Sequence, residues 1–236
     1  MLYALGEDHR IVGISGFTVR PPRARKEKPK VSAFTSAKVD QILALKPDLA
    51  IGFSDIQADI AAELVRRGVE VWISNHRSVA GILDYVRRLG AMVGAAAKAE
   101  AYADALERGV EAVAAKAAAF PVRPRVYFEE WDEPRISGIQ WVAELVPESL
   151  AKQRILADDS EILRRDPQVV FGSWCGKKFQ PGTVAARPGW ADVSAVREGQ
   201  LFEIKSPIIL QPGPAALTDG LAELHAHLAR WVAVRA

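Results

Sequence analysis

Residues 39–53 read VDQILALKPDLAIGF, and residues 160–174 read SEILRRDPQVVFGSW. Both follow one template: apolar residues at helical spacing, a basic residue, a short turn containing Asp and Pro, an apolar run, and an aromatic. Proline ends a helix because it lacks the N–H that the ladder needs and its ring collides with the preceding turn. Apolar runs this short, enclosed by turn residues, are expected to be buried strands. Matched units in the two halves of the chain predict two similar α/β lobes. Phe53 and Trp174 are then expected in equivalent places, at the carboxyl ends of parallel strands, where open α/β sheets take their ligands.

The pattern extends outward from the first copy. IVGIS at 11–15 reads as a strand, a helix is expected over 57–67 with Gly68 closing it, VEVWIS supplies the next strand, and a further helix follows at 79–89. Strands alternating with short helices indicate a parallel sheet. The second half runs VYFEEW as a strand, ISGIQWVAELV leading into a helix, GQLFEI as another strand, and a final amphipathic helix over 215–234. Between the halves lies AAAKAEAYADALERGVEAVAAKAA, residues 95–118, rich in alanine and free of proline. Its helix propensity predicts one continuous helix of about 35 Å. Such a helix is either a surface element of one large domain or a connecting strut, and its place between two α/β blocks favours the strut. The expected fold is therefore α/β, with two lobes of parallel-rich sheets flanked by helices and joined by one long helix. The boundaries are 1–94 for the amino-terminal lobe, 95–120 for the connecting helix and 121–236 for the carboxyl-terminal lobe.

Composition narrows the function. The 236 residues carry 31 Lys and Arg against 29 Asp and Glu, a net charge of +2. That balance gives no basic face for nucleic acid. The basic stretch PPRARKEKPK at 21–30 is interrupted by a glutamate and reads as a solvated loop. One cysteine, Cys175, excludes an internal disulfide and any multi-cysteine metal site. No apolar run approaches the roughly 20 residues that span a bilayer. The opening MLYALGEDHR lacks the basic and apolar regions of a signal peptide, so the printed chain reads as unexported.

Enzymatic patterns are poor: there is no GxSxG elbow, Walker loop, HExxH or dinucleotide glycine fingerprint. His225 and His227 stand at i, i+2 on the last helix, which turns their rings to different faces. Glu129 and Glu130 are adjacent in a strand and project to opposite sides. The chain is thus expected to bind rather than to catalyse, with no catalytic cofactor and no metal site. Aromatics at strand ends carry the binding reading: Phe17, Phe34 and Phe53 in the first half, Trp131, Trp141 and Trp174 in the second. Each alone is ordinary packing, but several converging on one cleft suit a large planar or macrocyclic ligand. Glu130 is placed to bond a polar ligand edge. Cys175, in SWCGKKF, is either a packed residue, a thiol activated by Lys177 and Lys178, or a soft-metal ligand. Trp72 and Trp231 read as packing, and Trp190 as either.

The stretch GISGFTVRPPRARKEKPKVSAFTSAKVDQILALKPDLAIGF (residues 13–53) and the later PGWADVSAVREGQLFEI (188–204) resemble the helical-hinge solute receptors of ABC importers, in the cobalamin-binding branch. The resemblance covers essentially the whole chain. It implies two lobes bridged by a rigid helix, with a corrinoid held in the cleft between them. Phe17, Phe34 and Phe53 match the pocket aromatics of the first lobe, and Trp131 and Trp174 those of the second. Asp59 matches an acidic residue that docks onto arginines of the importer's membrane subunits. The ligand is then cobalamin or a related corrinoid, with haem, a siderophore or a cytosolic corrinoid-handling role as alternatives. Arg20 and Arg135 are the residues a siderophore would use. The resemblance implies a periplasmic or lipid-anchored extracellular place, and a cytoplasmic one with Met1 as native start. The chain departs from the family in a short ELVPESLAK segment and in lysines where symmetry expects a second docking carboxylate.

Overall fold

The computed structural model describes residues 1–145 and 154–236. They form two compact units: Met1–His76 with Ala80–Asp104, and Arg77–Val79 with Ala105–Ala236. The short ELVPESLAK segment falls largely on residues outside those described.

In unit 1 the strands are β1 (Ile14–Ser15), β2 (Lys30–Ser32), β3 (Ala50–Phe53) and β4 (Val71–Ser74). They pair in parallel as two separate ribbons, β1 with β2 and β3 with β4. The longer helices are α1 (Val39–Ala44), α2 (Ala58–Arg66) and α3 (Val79–Met92). Helix α2 has its apolar side toward the sheet, where Leu64 is buried. Gly68, at φ +80°, turns the chain out of it into β4. The alanine-rich stretch forms a single helix, α4 (Ala96–Ala118), and the division between the units falls within it.

Unit 2 holds one four-stranded sheet in the order β6-β5-β7-β8, from β5 (Val126–Asp132), β6 (Arg135–Ser137), β7 (Val169–Gly172) and β8 (Leu201–Glu203). Strands β5, β7 and β8 run parallel, whereas β6 returns antiparallel to β5 through a tight connection. Helices α5 (Gln140–Leu145), α6 (Ser160–Arg165) and α7 (Leu221–Ala233) belong to this unit. The final helix runs over nearly the length its sequence pattern suggests, with Ala216–Gly220 as a π turn ahead of α7. There Gly220 lies so close to Ile208 that a Cβ would stand 2.4 Å from its carbonyl oxygen.

Both copies of the sequence template make helix, turn and strand, and both place a non-glycine residue in the left-handed region just before proline: Lys46 at φ +47° and Asp166 at φ +45°. That conformation is unfavourable for a side chain. Asp166 is held in it, its two carboxylate oxygens accepting bonds from the Ser194 amide (2.6 Å) and hydroxyl (2.7 Å). The Ser194 amide is the main reason its carboxyl lies below the usual aspartate range. The copies then diverge. Phe53 is the last residue of β3, but β7 ends at Gly172 and Trp174 lies two residues beyond it. The expected equivalence of Phe53 and Trp174 is therefore not kept.

Strand β7 is buried along its whole length, as a central parallel strand should be. Beside it the fully buried Glu129 of β5 is the charged centre of the core. Its oxygens accept two bonds from Arg187 (2.7 and 2.9 Å), one from the Trp174 indole N–H (3.1 Å) and one from the Tyr127 hydroxyl (3.2 Å). A second buried carboxylate, Asp159, takes both nitrogens of the Arg135 fork and the Trp190 indole N–H. Arg135 is thereby committed to the fold. Removing one partner of a buried ion pair strands the other charge at a loss of about 3–5 kcal/mol. Glu129→Ala is expected to lower unfolding stability by that amount, read from the urea midpoint, and an unchanged midpoint would show the network to be idle.

Candidate functional site

In unit 1, Phe17, Phe34, Phe53 and His76 stand at or just beyond the carboxyl ends of β1, β2, β3 and β4. Phe17 follows β1 on a turn closed by a bond from its amide to the Ser15 hydroxyl (3.2 Å), and its side chain is 45% exposed. Phe34 is 41% exposed. Phe53, at the end of β3, has its ring 5.2 Å from His76 at 60°. One residue ties two of these positions together: Gln57 Oε1 accepts from the Phe53 amide (2.8 Å), and its Nε2 donates to the Phe34 carbonyl (2.8 Å). Gly52 leaves room for that reach, since a Cβ there would stand 2.8 Å from Gln57 Oε1.

Beyond Phe53 the rings continue. His76 lies 5.0 Å from Tyr85, and Tyr85 stacks on Trp72 at 5.5 Å and 21°. The Ser74 hydroxyl and His76 Nδ1 are 2.8 Å apart. Burial pushes the Tyr85 phenol up to about 12. Sequence reasoning missed Gln57, His76 and Tyr85. Gln57 had a signal, an amide side chain just past a strand end, whereas the His76–Tyr85 pairing joins a loop to the middle of α3 and has no local trace. Trp72 belongs to this ring set through its stack on Tyr85. Asp59 is exposed in the first turn of α2.

Unit 2 brings only part of its expected set to the strand ends. Trp131, in the last turn of β5, is partly exposed, and its indole N–H donates to the Glu133 carbonyl (2.8 Å). The Lys177 ammonium stands 4.4 Å from the Trp131 ring centroid and 5.0 Å from that of Trp174, and pairs with Asp132 at 2.5 Å. Glu130 pairs with Arg154 and is otherwise largely enclosed, and burial raises its carboxyl above the usual glutamate range.

Two expected ligand residues are packing residues instead. Trp141 is fully buried and donates its indole N–H to the Ile209 carbonyl (2.9 Å). Trp174 is 3% exposed, with its edge on Phe179 at 5.0 Å and its N–H on Glu129. The physical reason is the same for both: each indole N–H has an acceptor inside the core, which only a buried ring reaches. Trp190 and Trp231 are also buried.

Cys175 is exposed. Partial burial and the nearby Glu130 charge both raise its pKa, whereas the neighbouring Lys177 is engaged elsewhere, with Asp132 and the tryptophans. Of the readings open for SWCGKK, the activated thiol runs against both of these effects. Only the thiolate is nucleophilic. Alkylation by iodoacetamide at pH 8 should therefore run slower than that of free cysteine, and Glu130→Gln should speed it. A rate above that of free cysteine would overturn this assignment.

A cavity of about 550 Å³ lies at the opposite, amino-terminal ends of β5 and β7, lined in part by Arg125, Arg164 and Arg165. Its arginines are paired, Arg125 with Asp166 and the other two with Glu161. Among the described residues no three His, Cys, Asp or Glu side chains are grouped to hold a metal ion, and no helix is long and apolar enough to cross a membrane.

Comparisons with known proteins agree on the fold. An ABC transporter substrate-binding protein from Listeria monocytogenes superposes with a TM-score of 0.82 at 15% identity, covering 96% of this chain and 93% of that one. A periplasmic heme binding protein from Pseudomonas aeruginosa gives 0.80 at 24% identity, covering 96% and 88%. The periplasmic vitamin B12 binding protein of Vibrio cholerae gives 0.74 at 20% identity, covering 97% and 91%. None of the curated proteins matches the chain. Residues 1–208 match the family model described as periplasmic binding protein, and with most of its length so covered the chain belongs to the periplasmic binding protein family.

Proposed function

We propose that the protein is the solute receptor of an ABC importer and that its solute is cobalamin or a related corrinoid, bound reversibly and without covalent chemistry. The observation that carries this reading is the set of accessible rings at strand carboxyl ends: Phe17, Phe34 and Phe53 in unit 1 and Trp131 in unit 2. Flat apolar faces suit a macrocycle, which buries large area against them without demanding a metal-ligating side chain. Gln57 holds two of the positions before any ligand arrives, which lowers the ordering cost of binding. Glu130 and Cys175 lie near one another beyond the end of β7, and they supply polar contact for the amide groups that surround a corrin ring. The exposed carboxylate of Asp59 suits a cationic side chain on an importer subunit. In this reading the protein works on the periplasmic or outer side of the membrane that houses the importer.

Haem is the second reading. What favours it is His76, an imidazole set between Phe53 and Tyr85, together with the haem-binding relatives of the same fold.

Titration calorimetry with cyanocobalamin, cobinamide and haem separates these. Corrinoid binding predicts saturable heat with the first two. Heat with haem alone, together with a Soret shift abolished by His76→Ala, would replace the corrinoid by haem. Phe53→Ala and Trp131→Ala should each weaken the bound ligand about tenfold, equivalent to ~1.4 kcal/mol. Unchanged affinity in both would sink the ring assignment. Asp59→Lys is expected to leave the titration unchanged and to stop importer-dependent uptake.

A further inference from the structure

The basic stretch at 21–30, expected to be a solvated loop, is a docked element. Its centre is a short helix, Ala24–Glu27, whose Ala24 is fully buried. Arg23 pairs with Asp8 (3.2 Å) and with Glu27 (3.4 Å), and its guanidinium stands 4.7 Å from the Tyr3 ring centroid. The Tyr3 hydroxyl donates to Glu27 (3.0 Å). Those contacts tie the helix to residues 3–8. Arg25 reaches a different target. Its Nη1 donates to the Gly16 carbonyl at 2.8 Å and stands 3.5 Å from the Thr18 carbonyl. These are the carbonyls on either side of Phe17.

The turn that carries Phe17 needs support, because its ring is too exposed for packing to hold it. The amides of the turn are answered close by. Gly16 donates to the Ser32 carbonyl (2.7 Å), Phe17 to the Ser15 hydroxyl (3.2 Å) and Thr18 to the Ser15 carbonyl (3.0 Å). The flanking carbonyls are answered from the helix. A terminal guanidinium nitrogen carries two N–H groups, so it can serve two acceptors at once. Its charge makes each bond stronger than one from a neutral donor. Gln57 treats the other two rings in the same way, bonding the Phe53 amide and the Phe34 carbonyl.

We infer that Arg25 is a positioning residue for ligand binding: it braces the turn at 16–18 so that the Phe17 ring stands ready before any ligand arrives. The inference rests on the proposed place of Phe17 in the ligand site. A ring on an unbraced turn has to be ordered during binding, and that ordering subtracts from affinity. The contribution of Arg25 therefore passes through Phe17, with no contact of its own to the ligand. Lysine at this position keeps a charged donor on a flexible stem but loses the planar fork, so it restores the brace in part. Methionine keeps an apolar stem and loses both charge and donor.

The test is a double-mutant cycle on the full chain, with Arg25→Met, Phe17→Ala and both together, titrated with cyanocobalamin and with haem. Arg25→Met should weaken whichever of the two binds by about fivefold, and Arg25→Lys should recover part of that loss. In the Phe17→Ala background, Arg25→Met should change affinity by less than about twofold. A second measurement needs no ligand. Arg25→Met should speed amide exchange at Thr18 by about tenfold and leave the Lys28 amide, which bonds Ala24 within the helix, unchanged. Equal losses from Arg25→Met with and without Phe17 would overturn the inference, as would an unchanged affinity in Phe17→Ala, and either result leaves the receptor reading standing. Absence of heat with both ligands would instead sink the receptor reading. An unmoved Thr18 amide in Arg25→Met would by itself show that Arg25 braces nothing.

Discussion

A central parallel strand is paired along both edges and covered on both faces, because backbone groups buried away from water need hydrogen-bond partners. Unit 2 meets that requirement at its central strand. Strand β7 lies between β5 and β8 and is buried at every residue. The two buried carboxylates of the surrounding core are answered in place: Glu129 by Arg187, Trp174 and Tyr127, and Asp159 by Arg135 and Trp190. Such networks set the rings of a core as firmly as packing does. They explain why Trp174 is structural despite standing near a strand end.

Much of the fold was legible because it rests on local chemistry. Proline after a short helix, a glycine closing α2 and apolar runs of four or five residues are signals written within a few positions. The alanine-rich stretch gave its helix almost to the residue, Ala96–Ala118. Sheet order is another matter. The antiparallel return of β6 depends on a tight connection whose residues, Glu133 and Pro134, are compatible with several outcomes. The split of unit 1 into two ribbons has no signature in β1 or β3 themselves.

The site was legible in part, for the same reason. Phe17, Phe34 and Phe53 are accessible because each ends or follows a strand and has no polar atom to anchor inside. Trp141 and Trp174 could not be separated from Trp131 by position along the chain. What separates them is where the indole N–H finds its acceptor: Ile209 and Glu129 in the core for the first two, the adjacent Glu133 carbonyl for the third. Those acceptors are, for the buried pair, 68 and 45 residues away, beyond any local pattern. The Cys175 thiol shows the same limit, since the charge that governs it comes from Glu130 on another strand rather than from the lysines beside it.

The two left-handed residues before proline, Lys46 and Asp166, look alike in backbone and differ in what replacing them would do. Asp166 carries a side chain that bonds Ser194 twice, so a more permissive residue there would give up those bonds for the backbone relief. No comparable anchor holds Lys46, whose conformation is simply a strained way of leaving α1. Glycine or asparagine at that single position would relieve the strain without touching any ring, giving an engineer a route to a sturdier receptor that leaves recognition alone.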